Sequence, residues 1–93
     1  MTAHIVVLSN VKDADKLQEY GAAAAATISS FGGTLEKGAL SILCGNDSHE
    51  RLAVLQFPDI DTAKNWYNSE EYQALVPLRE QGMEAVFMLI EPD

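Results

Sequence analysis

The apolar positions change period along the chain, and each change marks an element boundary. Residues Ala3 to Ser9 form a short Ile- and Val-rich run closed by the turn-favouring pair Ser9 and Asn10, which predicts a first strand. From Asp13 the apolar residues Leu17, Tyr20, Ala24, Ile28 and Phe31 recur at helical steps, with the strong helix formers Ala22 to Ala26 among them. This predicts an amphipathic helix. Asp13 is placed to accept the free N–H groups of its first turn, and Gly32-Gly33 to end it with a left-handed residue. Thr34 to Cys44 returns to alternation, but Leu35 is odd-numbered whereas Leu40, Ile42 and Cys44 are even. Gly38 lies at that slip and predicts a bulge or kink.

Gly45 to Ser48 is a turn cluster, and Arg51 to Phe57 predicts a third strand, antiparallel to the second. Pro58 closes it. Asp59 then caps a second helix carrying Ile60, Ala63, Trp66 and Tyr67 on its apolar side, interrupted at Asn68 and Ser69. Glu70 to Glu80 continues with Tyr72, Leu75, Val76 and Arg79 on one stripe. Pro77 lacks an N–H and crowds the preceding turn, so this segment divides into two short pieces. Gly82 ends it, and Glu84 to Glu91 predicts the last strand, before a Pro92-Asp93 tail. The order β-α-β-β-α-β predicts an α+β fold, a four-stranded antiparallel sheet in a single domain spanning residues 1–93.

The strands are apolar on both faces. Val6 and Leu8 alternate with Ile5 and Val7, and Val86, Met88 and Ile90 alternate with Ala85, Phe87 and Leu89. Two helices on one face of an antiparallel sheet leave the other facing water, where polar residues belong. A second copy covering that face is the economical answer, which predicts a homodimer with sheets packed face to face. The alternative is that the first helix and the tail wrap over it.

Composition narrows the partners. Six Lys and Arg stand against fourteen Asp and Glu, a net charge of −8, and the cations are scattered singly rather than in a stripe. Phosphate backbones and anionic lipids repel such a surface, so neither nucleic acid nor a membrane is expected as partner. The third strand also lacks the interleaved aromatic and basic residues with which proteins of this element order stack RNA bases. No apolar run approaches the roughly 20 residues of a membrane-spanning helix. A single Cys44 forms no internal disulfide, and the apolar start follows no basic segment, which together predict a cytoplasmic protein.

Several stretches together resemble a known family. Phe57-Pro58-Asp59, then Ala63-Lys64-Asn65-Trp66-Tyr67-Asn68-Ser69-Glu70-Glu71-Tyr72-Gln73, then Pro77-Leu78-Arg79 resemble the signature of the 1330 family of domains of unknown function. Tyr20 and Gly32-Gly33 fit the same pattern, so the resemblance covers nearly the whole chain. Glu70 stands where a proline commonly follows the Ser, and Gly45 to Glu50 replaces the usual single-glycine turn. The resemblance implies a dimeric α/β barrel of ferredoxin-like topology. It implies no activity; proteins sharing that barrel include cofactor-independent monooxygenases, haem-degrading enzymes and small isomerases, an analogy of fold alone.

Arg79 is the most informative candidate, a cation on an otherwise apolar stripe. Either it pairs internally with Glu71, Glu91 or Glu36, or its planar guanidinium anchors a small carboxylate through two parallel hydrogen bonds. Tyr20, Trp66, Tyr67 and Tyr72 supply either core or the apolar body and polar tips of a pocket. His4, on the first strand, is a structural histidine or a base opening onto that pocket. Asp47, His49 and Glu50 sit in a turn without any recognised metal spacing, and Asp47-Ser48-His49 is no hydrolase triad. Cys44 has no cation adjacent in sequence and reads as an unactivated thiol. No metal or cofactor is expected.

Two functions follow. One is a binder, or an enzyme, for a small carboxylate-bearing molecule in a helix-sheet pocket lined by Tyr20, Trp66, Tyr67, Tyr72, Arg79 and His4. The other is a non-catalytic dimeric module whose partner is another protein.

Overall fold

The computed structural model describes residues 2–91. Eight elements follow one another: β1 (Ala3–Val11), α1 (Ala14–Ser30), β2 (Thr34–Ala39), β3 (Arg51–Phe57), α2 (Ile60–Asn68), α3 (Glu70–Gln73), α4 (Val76–Gly82) and β4 (Met83–Leu89). The strands form one sheet in the order β2-β3-β1-β4, every neighbouring pair antiparallel. The helices lie on one face of it, and the whole measures 31 × 30 × 16 Å, a slab of two layers.

Local chemistry sets the helix ends. Asp13 accepts from the N–H groups of Asp15 and Lys16 at 3.0 and 3.2 Å, and Asp59 from that of Thr62 at 2.7 Å. Gly32, at φ +73°, provides the left-handed turn after α1. Ser69 joins α2 to α3 in both directions: its hydroxyl donates to the Trp66 carbonyl at 2.7 Å and accepts from the Tyr72 N–H at 3.2 Å. A hydroxyl cap thus fixes the start of the short helix without the proline. Pro77 falls in the first turn of α4, where its missing N–H costs nothing.

Along β1, odd-numbered residues face the helices and even-numbered residues face away. Ala3, Ile5, Val7 and Ser9 are buried with Leu55 and Phe57 of β3 and Met83 of β4. Tyr20, Ala24 and Ile28 of α1, Ala63 and Trp66 of α2 and Tyr72 of α3 complete the core. Gly82 allows α4 to cross α1 closely, since a Cβ there would sit 2.8 Å from the Leu17 backbone nitrogen.

The second strand differs from its expectation. It ends at Ala39 rather than Cys44, and Gly38 pairs with Leu52 in unbroken register, so no bulge exists there. The reason is the loss of a partner. A last bond across β2 and β3 joins the Leu40 N–H to the Glu50 carbonyl at 2.9 Å, while the Glu50 N–H turns to β1, donating to the Ser9 carbonyl at 3.1 Å and the Asn10 side chain at 2.8 Å, and residues 41–49 form no strand against which Ile42 could pair. Ile42 and Cys44 therefore alternate in a loop, outside the sheet. The Pro92-Asp93 tail lies outside the described residues. Among the described residues, no helix is long and apolar enough to cross a membrane.

Candidate functional site

Helical spacing on α1 and the start of α3 brings Tyr20 and Tyr72 together, their hydroxyl oxygens 2.7 Å apart and their rings edge to face. From α4, Arg79 reaches the same point and donates from Nη1 to Tyr72 at 3.0 Å and to Tyr67 at 3.2 Å. Its guanidinium carbon stands 4.8 Å from the centre of the Phe87 ring, a cation-π contact in a largely buried setting. Beneath it Trp66 is wholly buried, 4.2 Å from Tyr72 between ring centres, and its indole N–H donates to Thr27 at 3.0 Å. The cluster is a continuous polar chain through an apolar interior.

Its electrostatics follow from that enclosure. Burial, repulsion from Tyr72 and the hydrogen bond to it push the Tyr20 hydroxyl well above the ordinary tyrosine range. Burial also raises Tyr72, although its bonds to Tyr20 and Arg79 pull the other way. Burial opposes the charge on Arg79, but the phenol oxygens of Tyr67 and Tyr72 outweigh it and hold the guanidinium charged. Both buried phenols are neutral and Arg79 is cationic at any ordinary pH.

Arg79 corrects one expectation. Among the described residues its carboxylate neighbour is Glu80, at 3.4 Å and mostly exposed, rather than Glu71, Glu91 or Glu36. Glu91 instead pairs with Lys64 at 2.9 Å on the surface. The aromatic oxygens lie inside the fold, where α4 aims the guanidinium, and the three carboxylates do not. His4 does not join the cluster: it is even-numbered on β1 and faces away from the helices. His49 and Asp47 meet in the 40–50 loop at 2.5 Å, and hydrogen bonds from the His49 backbone and ring hold the Asp47 carboxyl below its ordinary range. Among the described residues, no three His, Cys, Asp or Glu side chains converge as a metal site would require.

Beside the cluster lies a cleft of about 590 Å³ between α1 and the β2-β3 side of the sheet. Its cause is missing side-chain volume. Ala14, Gly21, Ala22, Ala24 and Ala25 of α1 line the cleft together with Ala53 of β3, and a Cβ at Gly21 would meet nothing within 4 Å. Val7, Ile28, Leu35 and Leu55 give the walls their apolar character, and Tyr20, Trp66 and Phe87 close one end. Ser9, Lys37 and Arg51 bring polar groups to another part of the wall. A smaller hollow of about 290 Å³ lies across Phe87, bordered by Tyr67, Lys64 and Leu89. Tyr20 and Trp66 thus line the large cleft and Tyr67 the small one, while Tyr72 and Arg79 stand behind both.

Sequence reasoning missed Lys37, Arg51 and the small-residue roof. The parity of Lys37 with Leu35, and of Arg51 with Ala53 and Leu55, was the available signal.

Comparison with known proteins agrees with this architecture. Residues 2–92 match the family described as a domain of unknown function (DUF1330), and the chain belongs to that family. No curated protein matches it. A protein of unknown function from Rhodopseudomonas palustris is similar in structure, with TM-score 0.79 and 14% identity over 99% of this chain and 82% of that one. A cofactor-independent oxygenase from Streptomyces nogalater, SnoaB, has TM-score 0.73 and 12% identity over 99% and 93%. A dimeric ferredoxin-like protein of unknown function from Thermobifida fusca has TM-score 0.67 and 12% identity over 97% and 90%. These likenesses establish a ferredoxin-like fold and carry no residue role across.

Proposed function

We propose that this chain forms a homodimer of face-to-face sheets, and that each copy binds one small, largely apolar molecule in the cleft beneath α1. The cleft carries the reading: about 590 Å³ of mostly apolar space lies within the size range of small-molecule sites. Tyr20 and Trp66 are the expected ligand-facing residues from the aromatic cluster, and Tyr72 and Arg79 position them. The oxygenase relative shows only that one protein of this fold works without a cofactor. Titration of 4-phenylbutanol followed by Trp66 fluorescence tests the cleft. Saturable binding that Gly21→Phe removes by filling the space supports it; binding unaffected by that plug contradicts it.

The second copy is supported by the uncovered face. Val86, Met88 and Ile90 are 45%, 40% and 58% exposed, beside half-buried Val6, Leu8, Leu52 and Val54. One copy exposes 5873 Å², against about 5,300 Å² for a compact monomer of this mass. Two of the structural relatives are described as dimeric.

The second reading, a dimeric module that docks another protein, draws on Ile42 and Leu43, 44% and 98% exposed in the 40–50 loop. An empty cleft together with an intact dimer favours it.

A further inference from the structure

We propose that Lys37 and Arg51 form the anion-binding end of the α1 cleft, so that its ligand is a monocarboxylate with an apolar body. The inference rests on the cleft being a small-molecule site and adds the chemical class of what it holds.

Register places the two cations. Lys37 pairs with Ala53 across β2 and β3, and Arg51 pairs with Ala39 on one side and Ser9 on the other. All five share the helix-facing parity of the sheet, with Lys37 and Arg51 as diagonal neighbours on adjacent strands. Both line the cleft. Among the described residues neither has a carboxylate within 4.0 Å, as is also true of Lys12 and Lys16 on the surface, whereas Lys64 has Glu91 and Arg79 has Glu80 and two phenols; Lys37 and Arg51 differ from Lys12 and Lys16 in lining the cleft together. In a chain of fourteen acids and six Lys and Arg, two cations without a carboxylate on one wall run against the overall charge.

The surroundings define the rest of the ligand. Arg51 is half-buried, with Ala53 two residues along its strand and Val7 diagonal to it on β1, so its charge gains more from a bound anion than that of the exposed Lys37. A guanidinium fork matches the two oxygens of a carboxylate, and an ammonium adds a point charge beside it. A bare inorganic anion would leave the apolar walls uncovered. A neutral apolar molecule would leave the cations without a counter-ion. An aryl- or alkyl-carboxylic acid satisfies both.

The test is calorimetric titration of 4-phenylbutyrate against its neutral counterpart 4-phenylbutanol, with inorganic phosphate as a third probe. The wild-type chain is expected to bind the acid at least about tenfold more tightly than the alcohol, the scale of one hydrogen bond to a charged group. Phosphate is expected to show no saturable binding, and added salt to weaken the acid alone. Combining Lys37→Met with Arg51→Met is expected to abolish the preference for the acid, and the single variants Lys37→Gln and Arg51→Gln to reduce it should the double variant misfold. Equal binding of acid and alcohol by the wild type overturns the anion-binding end while leaving the cleft reading intact, as does a preference that survives both substitutions. Binding of neither probe overturns both.

Discussion

The hydroxyl oxygens of Tyr20 and Tyr72 lie 2.7 Å apart where α1 meets α3, and Arg79 binds the Tyr72 oxygen from α4 at 3.0 Å. Tyr72 is thus the shared member of a chain that ties three helices, and it is wholly buried. Removing its oxygen deprives Tyr20 and Arg79 of a partner at once. Tyr72→Phe is expected to lower stability by about 2–3 kcal/mol and Tyr20→Phe by about 1 kcal/mol, read from urea denaturation. Equal small losses would contradict this ordering.

Arg79→Met separates support from ligand contact. The guanidinium stands behind the cleft, so its loss is expected to lower stability by about 1–3 kcal/mol, through two phenols deprived of their donor. Affinity for 4-phenylbutyrate should change far less than in the Lys37 and Arg51 variants. A loss of affinity equal to theirs would return Arg79 to the role of carboxylate anchor.

Alkali should unfold the chain through the buried phenols. Tyr20 is raised from its ordinary value of 10.0, and Tyr72 moves in the same direction. Above pH 10 the unfolded chain releases these protons while the folded chain keeps them, so the unfolded state is favoured as pH rises. This stabilisation is fully present below pH 10. Absorbance at 295 nm, followed with circular dichroism, should show two tyrosines ionising together with unfolding. In Tyr20→Phe the slope of stability against pH above 10 should be about halved.

Two glycines should respond in opposite senses. Gly21 is helical with open space around its Cβ position, so Gly21→Ala should stabilise by about 1 kcal/mol. Gly82→Ala places a methyl group 2.8 Å from the Leu17 nitrogen and should cost about 1–3 kcal/mol through displacement of α4 from α1. Thermal melts of the two variants check both signs.

A charge on the uncovered sheet face should separate the copies. Light scattering is expected to give a dimer for the wild type and a monomer for Val54→Glu, with the far-ultraviolet dichroism of each alike. A wild-type monomer at micromolar concentration would leave the apolar even-numbered face without its proposed cover.

Most of the fold was legible because local signals agreed. Asp13, Asp59, Gly32 and Pro77 mark element ends by their own chemistry, and the parity of β1 and β4 is read directly from alternation. Leu40 to Cys44 misled because alternation records what a segment could pair with, whereas beyond the Leu40–Glu50 bond residues 41–49 form no strand to serve as the partner. The aromatic cluster was visible as a stripe, but its partners were not: only folding shows that Arg79 reaches phenols before carboxylates. Lys37 and Arg51 meet through strand register, and the cleft exists where alanines and Gly21 leave volume unfilled. No motif encodes an absence of side chain.

The most direct test of the cleft is a map of amide and indole N–H resonances of the wild-type chain as 4-phenylbutanol is added. The shifts are predicted to gather on Val7, Ile28, Leu35, Leu55 and the Trp66 indole. Shifts confined to the opposite face, at Val6, Leu8, Val54 and Val86, or no shifts at all, would contradict a ligand site beneath α1.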